Sequence, residues 1–312
     1  MALYISDIRL DGDMKETILY ENPLMNHSYY IVEYDTYFQS EVPWHWHDEL
    51  EILSITKGRA VYKTSRQEYI LRQGDAIFLN TGVLHMLRPL EPNTVSCAHL
   101  FERTFLSGAA GNWLDIKYLT PVVAQRQVEA IPFYRDGAQE AAVLEKLDRA
   151  NALCEQEGEF FEIRLQHTLL EIWEWIFAQV QKQKPRQGKT ASAVNEAAIK
   201  KILLYIQEHY DEDLRVSQLA RLINVSEREC YRLFQNYMDT SPMAFLLAYR
   251  IRRAQSFLIG TDKSIMEIAM DTGFKTSSYF AKVFKQAVGM TPVEFRHHWA
   301  ARSQAEQPAV DP

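Results

Sequence analysis

The sequence predicts an α+β chain of more than one domain: a β-sandwich or barrel, two helices packed after it, and then an all-α part. Three observations carry this. Residues 29–101 form short runs rich in Ile, Val, Tyr and Phe, punctuated at Gly58, Gly74, Gly82 and Pro89, the even spacing of an all-β unit. From about Gln139 the apolar period changes from two to that of a helix. Residues 181–196, QKQKPRQGKTASAVNE, carry Pro, Gly, Ser and Lys with almost nothing to bury, and only helical patterns follow. The expected boundaries are residues 1–137 for the barrel, 138–180 for a helical packing or dimerisation segment, 181–196 for a linker, 197–300 for the all-α domain and 301–312 for a flexible tail.

The strands are expected at Tyr29–Gln39, Leu50–Lys57, Arg59–Thr64, Glu68–Leu71, Ala76–Leu79 and Val95–Phe101. Val143, Leu147, Ala150 and Cys154 define one helical stripe. Ile163, Leu165, Leu169, Ile172, Trp173 and Ile176 define a second, with Gly158 at the break. These two helices have apolar faces suited to the barrel or to a second subunit, and no heptad runs long enough to require a coiled coil.

Composition narrows the class. The content is 47% hydrophobic and 24% charged, as in globular proteins, and no apolar run approaches the ~18 residues of a membrane span. The start has early acids and no basic stretch ahead of an apolar one, unlike a secretory signal. Cys97, Cys154 and Cys230 are widely spaced and odd in number, suggesting neither a disulfide framework nor a zinc cluster, and a cytoplasmic location. The net charge of −7 is uneven: residues 1–196 carry 19 Lys+Arg against 28 Asp+Glu, whereas residues 197–300 carry 14 against 11. A modestly basic C-terminal part on an acidic body suits a DNA reader whose other domain does something else.

Within the all-α part, RVSQLARLINVSERECYRLFQ (Arg215–Gln235) reads as two helices around a tight turn. Ser217 is placed to cap the first helix, with Leu219, Ala220 and Leu222 inward. Asn224 tolerates the left-handed backbone of the turn. Ser226 with Glu229 three residues on has the capping-box spacing, and Cys230, Leu233 and Phe234 turn inward. The pattern returns about 50 residues later in Ser264–Gln286. There Ala269 stands four before Gly273, Ser277 opens the second helix, and Phe280, Val283 and Phe284 face inward. Pro242–Ile259 between them reads as one helix. A single helix-turn-helix match is weak, but two in tandem are specific.

The run Gly273-Phe274-Lys275-Thr276-Ser277-Ser278-Tyr279-Phe280, then Phe284-Lys285, Gly289-Met290-Thr291-Pro292 and Phe295-Arg296, resembles the C-terminal signature of AraC/XylS-type regulators over about residues 197–296. Asn224 departs from the usual Gly and Cys230 from the usual Leu. By position, the resemblance implies DNA contacts from Arg228, Tyr231 and Arg232 on the first recognition helix. On the second it implies Ser277, Ser278 and Lys282, with Lys275 near a phosphate.

Pro43–Gly58 reads PWHWHDELEILSITKG. His45 and His47 alternate on a strand and so share a face, with Glu51 on it too. With Gly74 through His85, the segment resembles both cupin motifs, His-x-His-x3-Glu-x6-Gly and Gly-x5-Pro-x-Gly-x2-His. Asn80 replaces the usual Pro, and Pro89 stands where Asn often follows. The resemblance marks His45, His47, Glu51 and His85 as effector-binding residues or as ligands of a divalent metal. Trp46 beside them offers an aromatic face suited to a sugar, although it alternates with the histidines.

Together these imply a sequence-specific DNA-binding transcription regulator and activator rather than an enzyme. Its expected partners are double-stranded promoter DNA, a small-molecule effector such as a sugar, RNA polymerase and a second copy of itself, with no membrane. No cofactor is required, although the barrel could hold a divalent metal. The alternative is a metal-dependent cupin enzyme joined to a DNA-binding module.

Overall fold

The computed structural model describes residues 2–305 except 9, 11–13, 21, 23, 38, 39, 126, 138, 183–189 and 239. The chain divides into two compact units, residues 1–194 and 195–312. It is an α+β chain, β-rich first and helical second.

Among the described residues, the first unit has the strands β1 (Ala2–Tyr4), β2 (His27–Glu33), β3 (Val42–His45), β4 (Leu50–Lys57), β5 (Arg59–Thr64), β6 (Glu68–Arg72), β7 (Ala76–Leu79), β8 (His85–Pro89), β9 (Val95–Phe101) and β10 (Ala130–Phe133). One sheet has the order β1-β2-β9-β4-β7-β10 and the other β3-β8-β5-β6. Apart from the parallel β1–β2 pair, the pairings within these sheets are antiparallel. The run expected to reach Gln39 stops at Glu33, because Tyr34–Thr36 turn and the Thr36 N–H donates to Glu33 O at 3.1 Å; Gln39 lies outside the described residues. At the turn between β4 and β5, Gly58 has φ +79°, and a Cβ there would lie 2.6 Å from Thr94 Oγ1. Only glycine fits.

The six-stranded sheet is covered on both faces, so its strands are apolar on both sides. Tyr30, Val32, Leu53, Ile55, Ile77, Leu79, Ala98 and Leu100 form the barrel interior. Their neighbours Tyr29, Ile31, Leu50, Ile52, Phe78, Cys97 and Phe101 join a second core, shared with helices. Those helices are α1 (Arg103–Ser107), α2 (Thr120–Val123), preceded by a π-helical turn at Asp115–Leu119, α3 (Ala141–Gln156) and α4 (Phe161–Lys182). Leu147, Ala150, Leu165, Leu169, Ile172 and Ile176 are buried in this core, and Trp173 Nε1–H donates to Tyr118 O at 3.1 Å. These six side chains therefore pack within the chain. Ile163, expected on the inner stripe, is exposed.

The second unit contains α5 (Thr190–Glu208), α6 (Val216–Leu222), α7 (Glu227–Met238), α8 (Pro242–Gly260), α9 (Ile265–Asp271), α10 (Ser277–Val288) and α11 (Pro292–Ala305). Where composition reads a linker over 181–196, residues 181–182 end α4 and 190–196 begin α5; 183–189 lie outside the described residues. The tail expected over 301–312 is helical to Ala305, and 306–312 also lie outside. Among the described residues no helix is long and apolar enough to cross a membrane.

Candidate effector cavity and nucleic-acid interface

The helix-turn-helix units repeat at the level of single hydrogen bonds. In the first, Val225 N–H donates to Ala220 O at 3.0 Å and Asn224 N–H to Arg221 O at 3.1 Å. In the second, Phe274 N–H donates to Ala269 O at 2.9 Å and Gly273 N–H to Met270 O at 3.0 Å. This is the paired closure of a helix ending in a left-handed residue, and φ is +56° at Asn224 and +74° at Gly273. Phe234 meets Phe245 edge-on at 6.1 Å, as Phe284 meets Phe295 at 5.5 Å. Cys230, Leu233 and Phe234 are buried in α7, matching Phe280, Val283 and Phe284 in α10.

The caps differ in part from expectation. Ser217 lies inside the first turn of α6, and the Arg215 N–H before that helix is taken by Gln218 Oε1 at 2.7 Å. Ser226 does cap α7, accepting from Glu229 N–H at 3.2 Å. Glu229 does not complete the box: its carboxylate turns along the helix to Arg232 instead, at 2.8 Å from Nε. That pair holds the Glu229 carboxyl below its ordinary range. At α10 the cap is Thr276, accepting from Tyr279 N–H at 3.2 Å, with Ser277 the first helical residue.

Arg228, Tyr231, Arg232, Lys275, Ser278 and Lys282 are exposed and Ser277 is half-buried. Arg228 and Arg232 correspond across the repeat to Ser278 and Lys282, so each recognition helix shows solvent the same positions. Lys275 lies 3.6 Å from Asp213. Tyr279, exposed on α10, was not singled out from sequence. Two arginines brace the loops before the short helices: Arg250 Nε–H donates to Tyr210 O at 2.6 Å and Nη2–H to Glu212 O at 2.7 Å. Arg296 does the same to Leu258 O at 3.3 Å and Lys263 O at 2.5 Å.

In the barrel, β3 and β8 bring His45 opposite His85, with ring centroids 4.0 Å apart. His47 follows β3 and meets His85 edge-on at 5.0 Å. Each imidazole gives its Nδ1–H to a backbone carbonyl: His45 to Pro43 at 2.8 Å, His47 to Glu49 at 3.1 Å and His85 to Val83 at 2.9 Å. A carbonyl only accepts, so the three Nε2 atoms carry the inward lone pairs when the rings are neutral. Glu51 Oε2 lies 3.5 Å from His47 Nε2 and 3.4 Å from His85 Nε2, and accepts from Tyr62 OH at 2.9 Å. Glu16, missed in the sequence, places Oε2 3.3 Å from His45 Nε2. Burial alone would push His47 down, yet Glu51, Glu16 and Glu49 outweigh it and hold the ring above its ordinary value.

These residues line a cavity of about 40 Å³ with Ile5, Ile8, Tyr34, Leu53 and Leu100. Trp46 is not on its wall, contrary to its placement with the effector residues. The alternation turns it the other way, where its ring lies under Lys15 Nζ at 5.3 Å. Asn80, the departure from the motif's Pro, is buried, donates to Val122 O at 3.2 Å and Val128 O at 3.1 Å, and accepts from Thr81 N–H at 2.9 Å.

The three histidines offer nitrogens within 4.8 Å of one another, and buried His47 Nε2 has no hydrogen-bond partner. Backbone-anchored imidazoles with converging lone pairs and a carboxylate fit a divalent metal.

A second cluster lies on the helix-covered face of the six-stranded sheet, where the cysteine spacing suggests none: His27, His99 and Cys154, all buried. Burial pushes His27 well below its usual range and His99 to about 4, and raises Cys154 to about 12.

Residues 27–173 match the AraC-like ligand binding domain, and residues 219–298 match a helix-turn-helix domain. The chain is 26% identical over 259 residues to the uncharacterized HTH-type transcriptional regulator YdeC of Bacillus subtilis, spanning 82% of this chain and 86% of that one. It is 26% identical over 262 residues to the melibiose operon regulatory protein of Escherichia coli, spanning 81% and 82%. A solved AraC-type transcriptional regulator from Chromobacterium violaceum is 28% identical, covering 38% of this chain and 99% of that one, with a TM-score of 0.33. Paired helix-turn-helix units behind a ligand-binding barrel define a DNA-binding transcription regulator that responds to an effector. The chain belongs to the AraC/XylS-type family of such regulators.

Proposed function

We propose that a small polar effector, of the sugar class, binds in the barrel against His45, His47, Glu51 and His85 and changes how the two recognition helices engage promoter DNA. The convergent buried polar cluster carries this reading, and the melibiose operon regulatory protein among the relatives supports the sugar class. A cavity of about 40 Å³ is far below the ~300 Å³ of ordinary ligand sites. Binding therefore requires the wall to open, and Ile5, Ile8 and Glu16 come from the segment nearest the N-terminus. Arg228, Tyr231, Arg232, Ser277, Ser278 and Lys282 face the DNA, with Lys275 at a phosphate. The two recognition helices enter successive major grooves, about one helical turn apart. The protein acts in the cytoplasm as a homodimeric activator that contacts RNA polymerase, and it is not an enzyme.

A thermal-shift screen of sugars and small metabolites on the full chain tests this, followed by promoter binding with and without each hit. The expected result is a ligand that raises the melting temperature and alters promoter affinity or transcription. A stabilising ligand that changes neither DNA binding nor transcription overturns the switch, because effector and DNA affinities must be coupled reciprocally.

The convergence of three backbone-anchored imidazoles, with ligand nitrogens within 4.8 Å of one another, favours a metal-assisted variant of this reading. His45, His47, His85 and Glu51 would hold the ion, which would supply a Lewis-acidic centre for effector oxygens. The enzyme alternative is excluded if purified protein carries no metal and His45→Ala plus His85→Ala leaves DNA binding intact.

A further inference from the structure

We propose that His27, His99 and Cys154 form a sulfur-containing site for a divalent cation of the zinc type, between the outer face of the barrel and the last turn of α3. The three side chains come from β2, β9 and α3, and their ligand atoms lie within 4.8 Å of one another. His27 Nε2 and His99 Nδ1 are 3.0 Å apart. Two nitrogens on one tetrahedral zinc stand ~3.3 Å from each other, from Zn–N bonds of ~2.0–2.1 Å, so these two need only a small separation.

The surroundings prepare the ring nitrogens. His99 Nε2–H donates to Asn151 Oδ1 at 2.9 Å, and Asn151 Nδ2–H reaches Ser54 Oγ at 3.4 Å. That chain fixes the His99 tautomer with the Nδ1 lone pair facing His27, the outer-shell arrangement of zinc-binding histidines. Without metal, His27 Nε2–H fills the lone pair. On binding, the His27 proton transfers to its own Nδ1, Nε2 turns to the ion, and the Cys154 thiol releases its proton to solvent.

An open route reaches the buried cluster. A cavity of about 250 Å³ is lined by His27, Cys154, Asn22, Ser28, Glu157 and Glu162. It admits the ion and leaves room for a water as fourth ligand, while the two carboxylates offset the charge of a Zn²⁺–thiolate unit. Imidazole with thiolate selects zinc-like ions over magnesium or calcium. The site would tie two barrel strands to α3, and it stands whether or not the barrel cavity takes an effector.

Cobalt(II) added to the chelator-stripped full chain tests this, because the barrel histidine cluster contains no sulfur. The expected result is a near-ultraviolet thiolate-to-cobalt charge-transfer band saturating at one equivalent. The band is lost in Cys154→Ala and kept in Cys97→Ala and Cys230→Ala, and His99→Gln weakens cobalt binding at least tenfold. If Cys154→Ala does not fold, Cys154→Ser, closer in size, takes its place. A folded wild-type chain that takes up cobalt without a thiolate band overturns the proposal. So does a band that survives removal of the Cys154 thiol.

Discussion

Asn80 shows how one side chain substitutes for a motif residue. Its amide donates to two carbonyls and accepts from a backbone N–H, tying the end of β7 to α2 and to the segment between α2 and β10. Val122 O also accepts from Gln125 N–H, so Asn80→Ala costs chiefly the bonds to Val128 O and Thr81 N–H, and at ~1–3 kcal/mol for an unsatisfied buried group we expect a loss of about 1–3 kcal/mol in urea unfolding. At the first turn, Asn224 already holds the left-handed backbone. Asn224→Ala is expected to cost ~1 kcal/mol while Asn224→Gly is near neutral; equal losses for both would mean that the side chain, not φ, matters. Arg232 is held by Glu229 along the helix, a device seen only with side chains in place. Arg232→Ala is expected to weaken specific promoter binding by ~1–3 kcal/mol if it reads a base. Equal loss on random duplex, read by fluorescence anisotropy, would make it a phosphate contact instead.

Among the elements, those with a strong local signal were readable in advance. β4, β5, β7 and β9 have the predicted ends, since each is an apolar run closed by a turn. The helix-turn-helix pair was readable because inward residues, turn residue and spacing repeat together. What escaped depends on distant partners. β1 pairs in parallel with β2, and no local pattern marks that. Glu16 reaches His45 from a segment distant in sequence that bridges to Trp46, so the motif could not reveal it. Cys154 joins His27 and His99 only because α3 lies on the outside of β2 and β9. Likewise, the apolar stripes of α3 and α4 predict burial but not against what. Caps were half-legible: a Ser or Thr near a helix start is visible, but whether it is the cap depends on one residue of register. Thr276→Ala, which removes the cap of α10, and Ser264→Ala, which removes the reciprocal cap of α9, are each expected to lower stability by ~1 kcal/mol. Thermal unfolding of the full chain measures both.

For the whole molecule, charge is the property that the sequence already apportions. The basic excess lies in residues 197–300 and the acidic excess before them, so DNA binding must depend on salt despite the net charge of −7. Each neutralised phosphate contributes ~0.9 to the slope of log K against log salt. Lys282→Ala is expected to flatten that slope by about one if the ammonium meets a phosphate. An unchanged slope with loss of sequence preference would place it on a base.

The six-stranded sheet has a consequence for how such a molecule could be read from outside. On β9, Ala98 and Leu100 look into the cavity while Cys97, His99 and Phe101 look toward the helices. Side chains one residue apart thus belong to two compartments that share a single sheet of backbone. Close-packed interiors carry displacement rather than absorb it. An occupant on either side therefore presses on the same strand, and a sugar inside and a metal outside would be heard through one wall.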